Sequence, residues 1–278
     1  MNLSETIKTR LEYMTKSEQR IAAYYFKSPN GFAFNTLGEV ARDIDTSTTS
    51  VIRFCQKIGF NGYKDFQFAV RDSFRFGLTL PDKFKITVDI NNSSSPLSKT
   101  VSNAVACIEQ TFYNFDEALI NKAVAEILSA QRVFCFGLKE SYALAHYAYT
   151  RFLTVRSNVY MLTSGQSGEI ESILSLNKSD ICIFFLFHRY THPAPKILEL
   201  LKKQGVKIIL VTSPPFDDIE KGVEILFPCS VNINGIKNSS VAPICLLDHI
   251  CNALVVSNSE KGLEYMRNCE ALFKDFTF

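Results

Sequence analysis

The sequence predicts two domains of different class, an all-α bundle followed by an α/β domain built on a doubly wound, parallel five-stranded sheet. Three observations carry this. Residues 1–80 hold two helix-capping signatures; five short apolar runs alternate with helix-patterned segments beyond residue 103; and an Asn/Ser/Pro-rich stretch separates the two regions. At 278 residues the chain is long enough for two compact units, each with its own core.

In chain order, Thr15-Lys16-Ser17-Glu18 is a capping box, with the Thr15 hydroxyl set to accept from a first-turn amide while Glu18 reaches back. Ile21, Tyr24 and Tyr25 follow at helical spacing, and Pro29 is expected to stop that helix. Thr36 to Glu39 is a second capping box, followed by the stripe Leu37, Val40, Ala41 and Ile44. After a break of about three residues Ser47 can cap a new helix running to Lys57, with Gly59 as its stop. This is helix-turn-helix spacing. Val51, Phe54, Cys55 and Ile58 share the face that packs on the first helix, whereas Thr49, Ser50, Arg53 and Lys57 share the other. With Ser47 and Thr48 at the helix start, these are residue types that approach base edges and phosphates in a major groove, and they suit a plain solvated face equally well.

Residues 81–103, rich in Asn, Ser and Pro, lack helical periodicity and read as a linker. The strands expected beyond it are RVFCFG (132–137), NVYML (158–162), DICIFFLF (180–187), KIILVT (207–212) and VEILFP (223–228). Apolar throughout and separated by helices, they indicate a parallel sheet covered on both faces, so residues 104–278 form the α/β domain. Two further helices close the chain, and their surplus of apolar residues suits a surface between copies.

Composition narrows the classes of function. With 46% hydrophobic and 21% charged residues the chain is neither disordered nor fibrous, and a net charge of +2 excludes a polycation. Residues 1–80 hold 11 Lys and Arg against 8 Asp and Glu, a thin surplus that two copies would double. Eight cysteines, none in a C-x-x-C pair and several inside apolar runs, read as reduced small hydrophobes of a cytoplasmic protein. The longest apolar run, ICIFFLF, is far too short for a membrane span, and the N-terminus is not a secretory signal. His188 and His192 lack a third ligand nearby, so neither a metal nor another cofactor is expected, and His146 and His249 read as packed side chains on apolar helices.

The stretches MTKSEQRIAAYYFKSPNGF (14–32) and LGEVARDIDTSTTSVIRFCQKIGFNGYKDFQ (37–67), with the α/β unit after them, resemble the RpiR family of bacterial transcriptional regulators. That family joins an N-terminal helix-turn-helix to a C-terminal sugar isomerase (SIS) domain, a three-layer αβα fold. The resemblance covers nearly the whole chain and is most specific over VIRFCQKIGFNGYKDF. It implies DNA contacts at Ser47, Thr48, Thr49, Ser50, Arg53 and Lys57. One departure lies in the turn, where Asp45-Thr46-Ser47 stands for the usual Gly-Val-Ser; Asp tolerates the left-handed conformation better than most residues.

The resemblance also implies an anion cleft beyond the carboxyl ends of the strands. Of the family's Gly-x-Gly-x-Ser pattern, Gly137 and Ser141 match, and Lys139 adds a charge where the second glycine would stand. Of the second pattern, Ser-x-Ser-Gly-x-Thr, only Thr191 matches, while Leu186, Phe187, His188, Arg189 and Tyr190 fill the rest. Gly137, Lys139, Ser141, His188, Arg189 and Thr191 are therefore the candidate ligand residues. A different anion on Arg189, a sugar phosphate in an altered pose, and an unused cleft are all open at this point. The expected function is a repressor or activator that binds two-fold symmetric double-stranded DNA as a homodimer or higher oligomer and senses a small anionic metabolite. The competing reading is a sugar-phosphate isomerase with Glu169 or Glu171 as base and His188 as acid; a scaffold with an unused helix-turn-helix is a third.

Overall fold

The computed structural model describes residues 3–67, 69–70, 81, 84–85, 87–88, 96–113, 115–162, 169–188, 190–214, 216, 218–231 and 237–275. The chain forms two compact units that divide at residues 94 and 95.

The first unit contains α1 (Leu3–Arg10), a 3-10 turn (Leu11–Tyr13), α2 (Lys16–Lys27), α3 (Pro29–Phe34), α4 (Leu37–Asp43) and α5 (Thr48–Lys57). Both capping boxes are closed, Thr15 with Glu18 and Thr36 with Glu39. Pro29 does more than follow the end of α2, because it occupies the first turn of a short helix of its own. A missing amide costs nothing there and the fixed φ suits the start. Further helical residues, 63–67, bring Phe66 into the centre of the unit. Its ring meets Phe32, Phe54 and Phe60 edge-on at centroid distances of 5.1, 5.8 and 5.4 Å. These rings join Ile21, Val40, Val51, Cys55 and Ile58 in one core, so the face predicted to hold α5 down is the buried one.

The second unit begins with α6 (Pro96–Phe112), so the segment expected as a linker over 81–103 is helical from Pro96 onward. The proline again sits where its lost amide is harmless, and Cys107 and Thr111 bury the far end of the helix. There follow α7 (Glu117–Ser129), β1 (Val133–Gly137), α8 (Glu140–Leu153), β2 (Val159–Leu162), α9 (Glu169–Leu174), β3 (Ile181–Leu186), α10 (Ala194–Lys203), β4 (Lys207–Thr212), β5 (Ile225–Pro228), α11 (Val241–Ser257) and α12 (Ser259–Asp275). All five strands are parallel, in the order β2-β1-β3-β4-β5.

One face of the sheet packs under α7, α8 and α11 through Cys135, Ile183, Val211 and Phe227; the other packs under α10 through Phe136, Phe184 and Leu210. The central strands β1 and β3 are buried at every position. Tyr160 of β2 is 43% exposed, as an edge strand allows. Six of the eight cysteines are buried and all are free thiols. His146 and His249 differ from the packed reading: both are exposed, and His146 lies between the rings of Tyr142 and Tyr149. Among the described residues no single helix is long and apolar enough to cross a membrane.

Because β1 is flanked by β2 on one side and β3 on the other, the chain reverses its winding between β1 and β3. The crevice that such sheets form at a reversal lies beyond these carboxyl ends, between the loops after Gly137 and after Leu186, with Gly137 in register with Phe185.

Candidate functional site

The turn between α4 and α5 is fixed by backbone geometry. Asp45 takes a φ of 54°. Its amide donates to the Arg42 carbonyl at 3.0 Å, and the Thr46 amide reaches back to the Ala41 carbonyl at 2.9 Å. These are the two bonds of a Schellman closure, which in the absence of glycine falls to a residue that tolerates the left-handed region. Gly59, with a φ of 103°, closes α5 in the same way, its amide on the Gln56 carbonyl and the Phe60 amide on that of Cys55. Helix α2 braces the turn: the Arg20 guanidinium donates to the carbonyls of Ile44, at 3.0 Å, and Asp45, while the Ser17 and Thr46 hydroxyls lie 3.2 Å apart.

Ser47 caps α5 by accepting from the Ser50 amide at 3.1 Å, a contact worth about 1 kcal/mol. Thr48, Thr49 and Arg53 are exposed and Ser50 is half-buried. First-turn amides and hydroxyls thus stand beside a guanidinium one turn further on, an arrangement that can donate to phosphates and to the acceptor edge of guanine. Lys57 lies apart from this group. Its ammonium donates to Glu18 Oε2 and to the Tyr13 carbonyl, both at 2.8 Å. Burial would raise the Glu18 carboxyl, but Lys57 and the amide and hydroxyl of Thr15 outweigh it and hold the group below its ordinary value. Gln56 escaped the sequence reading. It is exposed three residues beyond Arg53, and a glutamine there can bond adenine bidentately; the signal available was its i+7 spacing from Thr49.

In the crevice, Gly137 is required by close approach. A Cβ there would stand 2.3 Å from the Ser141 carbonyl oxygen and 2.5 Å from its carbon, both backbone atoms. Lys139 precedes α8 with φ 53° and ψ −115°, and its side chain makes no capping bond. The helix start is then built by the Ser141 amide on the Leu138 carbonyl and the Tyr142 amide on that of Lys139, both at 3.1 Å. Ser141 is half-buried and Lys139 exposed. Glu140, which would repel an anion, is paired with Lys237, a residue that sequence reasoning missed because it is 97 positions away.

On the neighbouring loop Phe187 is buried, and the His188 ring stacks on Tyr190 at 4.9 Å. The Thr191 carbonyl accepts from the Ala194 amide at 2.7 Å, opening α10. Arg189 lies outside the described residues, as do 163–168; Glu169 begins α9 and Glu171 is exposed. No cluster of three or more His, Cys, Asp or Glu is gathered among the described residues.

A helix-turn-helix unit followed in the chain by a doubly wound parallel sheet with a glycine-tight loop at its winding reversal is the organisation of a class, that of DNA-binding regulators with an appended small-molecule domain. The helix-turn-helix domain of the rpiR family matches residues 1–76 and the SIS domain matches residues 126–245. The chain thus carries a helix-turn-helix domain of the rpiR family followed by a SIS domain. It is 22% identical to the HTH-type transcriptional regulator HexR of Escherichia coli K12, over 100% of this chain and 96% of that one. Two solved structures share the fold. The NanR protein of Vibrio vulnificus, complexed with ManNAc-6P, covers 99% of both chains at 17% identity with a TM-score of 0.58. The sugar isomerase domain of an RpiR transcription factor from Sphaerobacter thermophilus covers 63% of this chain and 98% of that one at 20% identity, with a TM-score of 0.59.

Proposed function

We propose that the SIS unit senses a small anionic metabolite of the phosphorylated-sugar class and thereby adjusts how a homodimer, or a higher homo-oligomer, sits on a two-fold symmetric operator in the cytoplasm. Residues 1–80 act as the DNA-binding domain, 81–103 as the connection and 104–278 as the sensing domain. Ser47, Thr48, Thr49, Ser50 and Arg53 meet DNA. Gly137, Lys139, Ser141, His188, Arg189 and Thr191 meet the effector. Effector binding changes the separation of the two reading helices, and half-site spacing converts that change into affinity.

The observation that carries the sensing role is the Gly137–Ser141 loop. Backbone packed too tightly for any Cβ, at the start of a fourteen-residue helix and at the winding reversal, is the arrangement by which a fold of this kind brings amides to an anion. The phosphorylated ligand of the NanR structure supports the class of effector. Regulation requires no chemistry, and we read the chain as a non-enzyme.

Thermal-shift screening of the purified chain against phosphorylated sugars, amino-sugar acids and inorganic phosphate tests the reading. The expected result is a hit abolished by Ser141→Ala and weakened by Arg189→Ala. Turnover of any sugar phosphate at ordinary enzymatic rates would overturn the regulator-only view. Failure of random-sequence selection to enrich a two-fold symmetric site at moderate salt would overturn the DNA role.

A further inference from the structure

Glu18 does more than close its own helix. A single oxygen, Oε2, accepts from the Thr15 amide at 2.8 Å, the Thr15 hydroxyl at 3.0 Å and the Lys57 ammonium at 2.8 Å. Lys57 gives a second hydrogen to the Tyr13 carbonyl, and its own carbonyl accepts from the Arg10 guanidinium. The last residue of α5 is thus gripped through both its side chain and its backbone. At the other end of α5, about 15 Å away by helical rise, Arg20 and Ser17 of α2 hold the turn that leads into it. The first turns of α2, with Arg10 and Tyr13 just before them, therefore hold both ends of the reading helix. The Glu18 side chain is 14% exposed and that of Lys57 35%, so the carboxylate is the more sheltered of the two and the ammonium stays open to solvent.

We infer that Glu18 is a positioning residue for DNA recognition: it withdraws Lys57 from the phosphates and fixes the roll of α5, so that the first-turn hydroxyls and Arg53 enter the groove. This rests on the DNA-reading role proposed above. Lys57 and Arg53 are four residues apart and would share a helix face if both side chains extended. The bend of Lys57 toward α2 separates them. Reaching a phosphate would require Lys57 to give up both protein partners and would leave the Glu18 carboxylate with the Thr15 donors alone.

The test uses the full chain, the duplex most enriched from random DNA, and an unrelated duplex of equal length, with Kd measured across a range of KCl concentrations. Lys57→Gln is expected to leave the salt slope of specific binding unchanged, because no phosphate contact is lost. It should lower discrimination between the two duplexes several-fold. Glu18→Gln keeps an oxygen for Thr15 but frees Lys57, so the slope should steepen by roughly 0.9 per subunit, the increment for one additional phosphate, while discrimination falls. If Lys57→Gln instead makes the slope shallower by about that amount, Lys57 grips a phosphate and the inference is wrong. An unchanged slope for a folded Glu18→Gln is equally fatal. Should Glu18→Gln not fold, the Lys57→Gln slope decides alone. If no sequence is enriched, the DNA role itself fails and the positioning role goes with it, whereas enrichment with the wrong slopes removes only the role of Glu18.

Discussion

Lys139 is held in a backbone conformation that costs a side-chain-bearing residue energy. At φ 53° and ψ −115° it lies outside the ordinary left-handed helical well, in territory that glycine enters freely and other residues enter at about 1–3 kcal/mol. The surroundings leave it no alternative. The chain must turn between the buried Phe136 and the first turn of α8 while Gly137 is pressed against the Ser141 backbone. Lys139→Gly removes the strain but adds freedom to the unfolded chain, at about 0.4–1 kcal/mol. The net expectation is roughly 1 kcal/mol of added stability, a rise of about 2–4 °C in the Tm of the α/β unit. Lys139→Ala keeps the strain and deletes only an exposed side chain, so it should stay within about 0.5 kcal/mol of the parent. Calorimetry on the full chain, following the transition of the α/β unit, compares the three. Both variants lose the ammonium, so both should bind the effector more weakly. A Lys139→Gly protein no more stable than Lys139→Ala would refute the strain argument.

Three further predictions follow from the same geometry. Gly137→Ala forces a methyl against backbone that cannot retreat, so it should cost about 1–3 kcal/mol in urea denaturation and abolish the effector-induced thermal shift. Arg53→Ala should cost roughly 1–3 kcal/mol of operator affinity confined to one base position if the guanidinium reads a base, and a loss spread over all sequences with a shallower salt slope if it holds a phosphate; selection from random DNA separates the two. Asp180, fully buried, accepts from Arg132 at 2.9 and 2.7 Å and from the Asn177 amide at 2.9 Å. Burial would raise its carboxyl, but these bonds prevail and hold it below its ordinary value of 3.8. Its contribution is therefore intact above that value and lost as pH falls through the depressed one. Asp180→Asn should lower stability by about 2 kcal/mol near neutrality, with the gap from the parent closing only in strong acid, and should leave effector affinity unchanged.

What was legible in the sequence was local. Thr15 with Glu18, Thr36 with Glu39, Ser47 and Gly59 each act within a few residues, so their spacing alone foretells the helix ends they make. The left-handed Asp45 was readable because the turn has no glycine to offer. The central strands declared themselves by being apolar at every position. What depended on tertiary partners was hidden. Lys57 reads as a free cation until its partner Glu18, 39 residues earlier, is brought beside it. Glu140 reads as a repulsive charge until Lys237 arrives. The strain at Lys139 arises from the packing of Gly137 on α8, which no single-residue propensity records, and the Pro96 helix is anchored by Cys107 and Thr111 rather than by its own polar opening turns.

The two ends of the sheet divide stability from function. Just before the strands begin, charges are paired across elements: Arg132 with Asp180 ahead of β1 and β3, Lys207 of β4 with Glu126 of α7, and Lys122 of α7 with Glu224 ahead of β5. Each pair ties a helix or loop to a strand start, and each is internally satisfied. Beyond the strand ends the pattern inverts. There the chain keeps a strained Lys139, a glycine that no other residue can replace, and a His188–Tyr190 stack on the loop after β3. A sheet that served only to hold two copies together would gain by relaxing that end, and Lys139→Gly is the single substitution expected to relax it. Under the sensing role proposed above, the aromatic replacement of the second loop leaves the effector held chiefly from the α8 side, through Ser141 and Lys139, so Ser141→Ala should weaken effector binding more than Thr191→Ala. Equal losses from the two, measured by calorimetric titration of the thermal-shift hit, would return the second loop to full partnership.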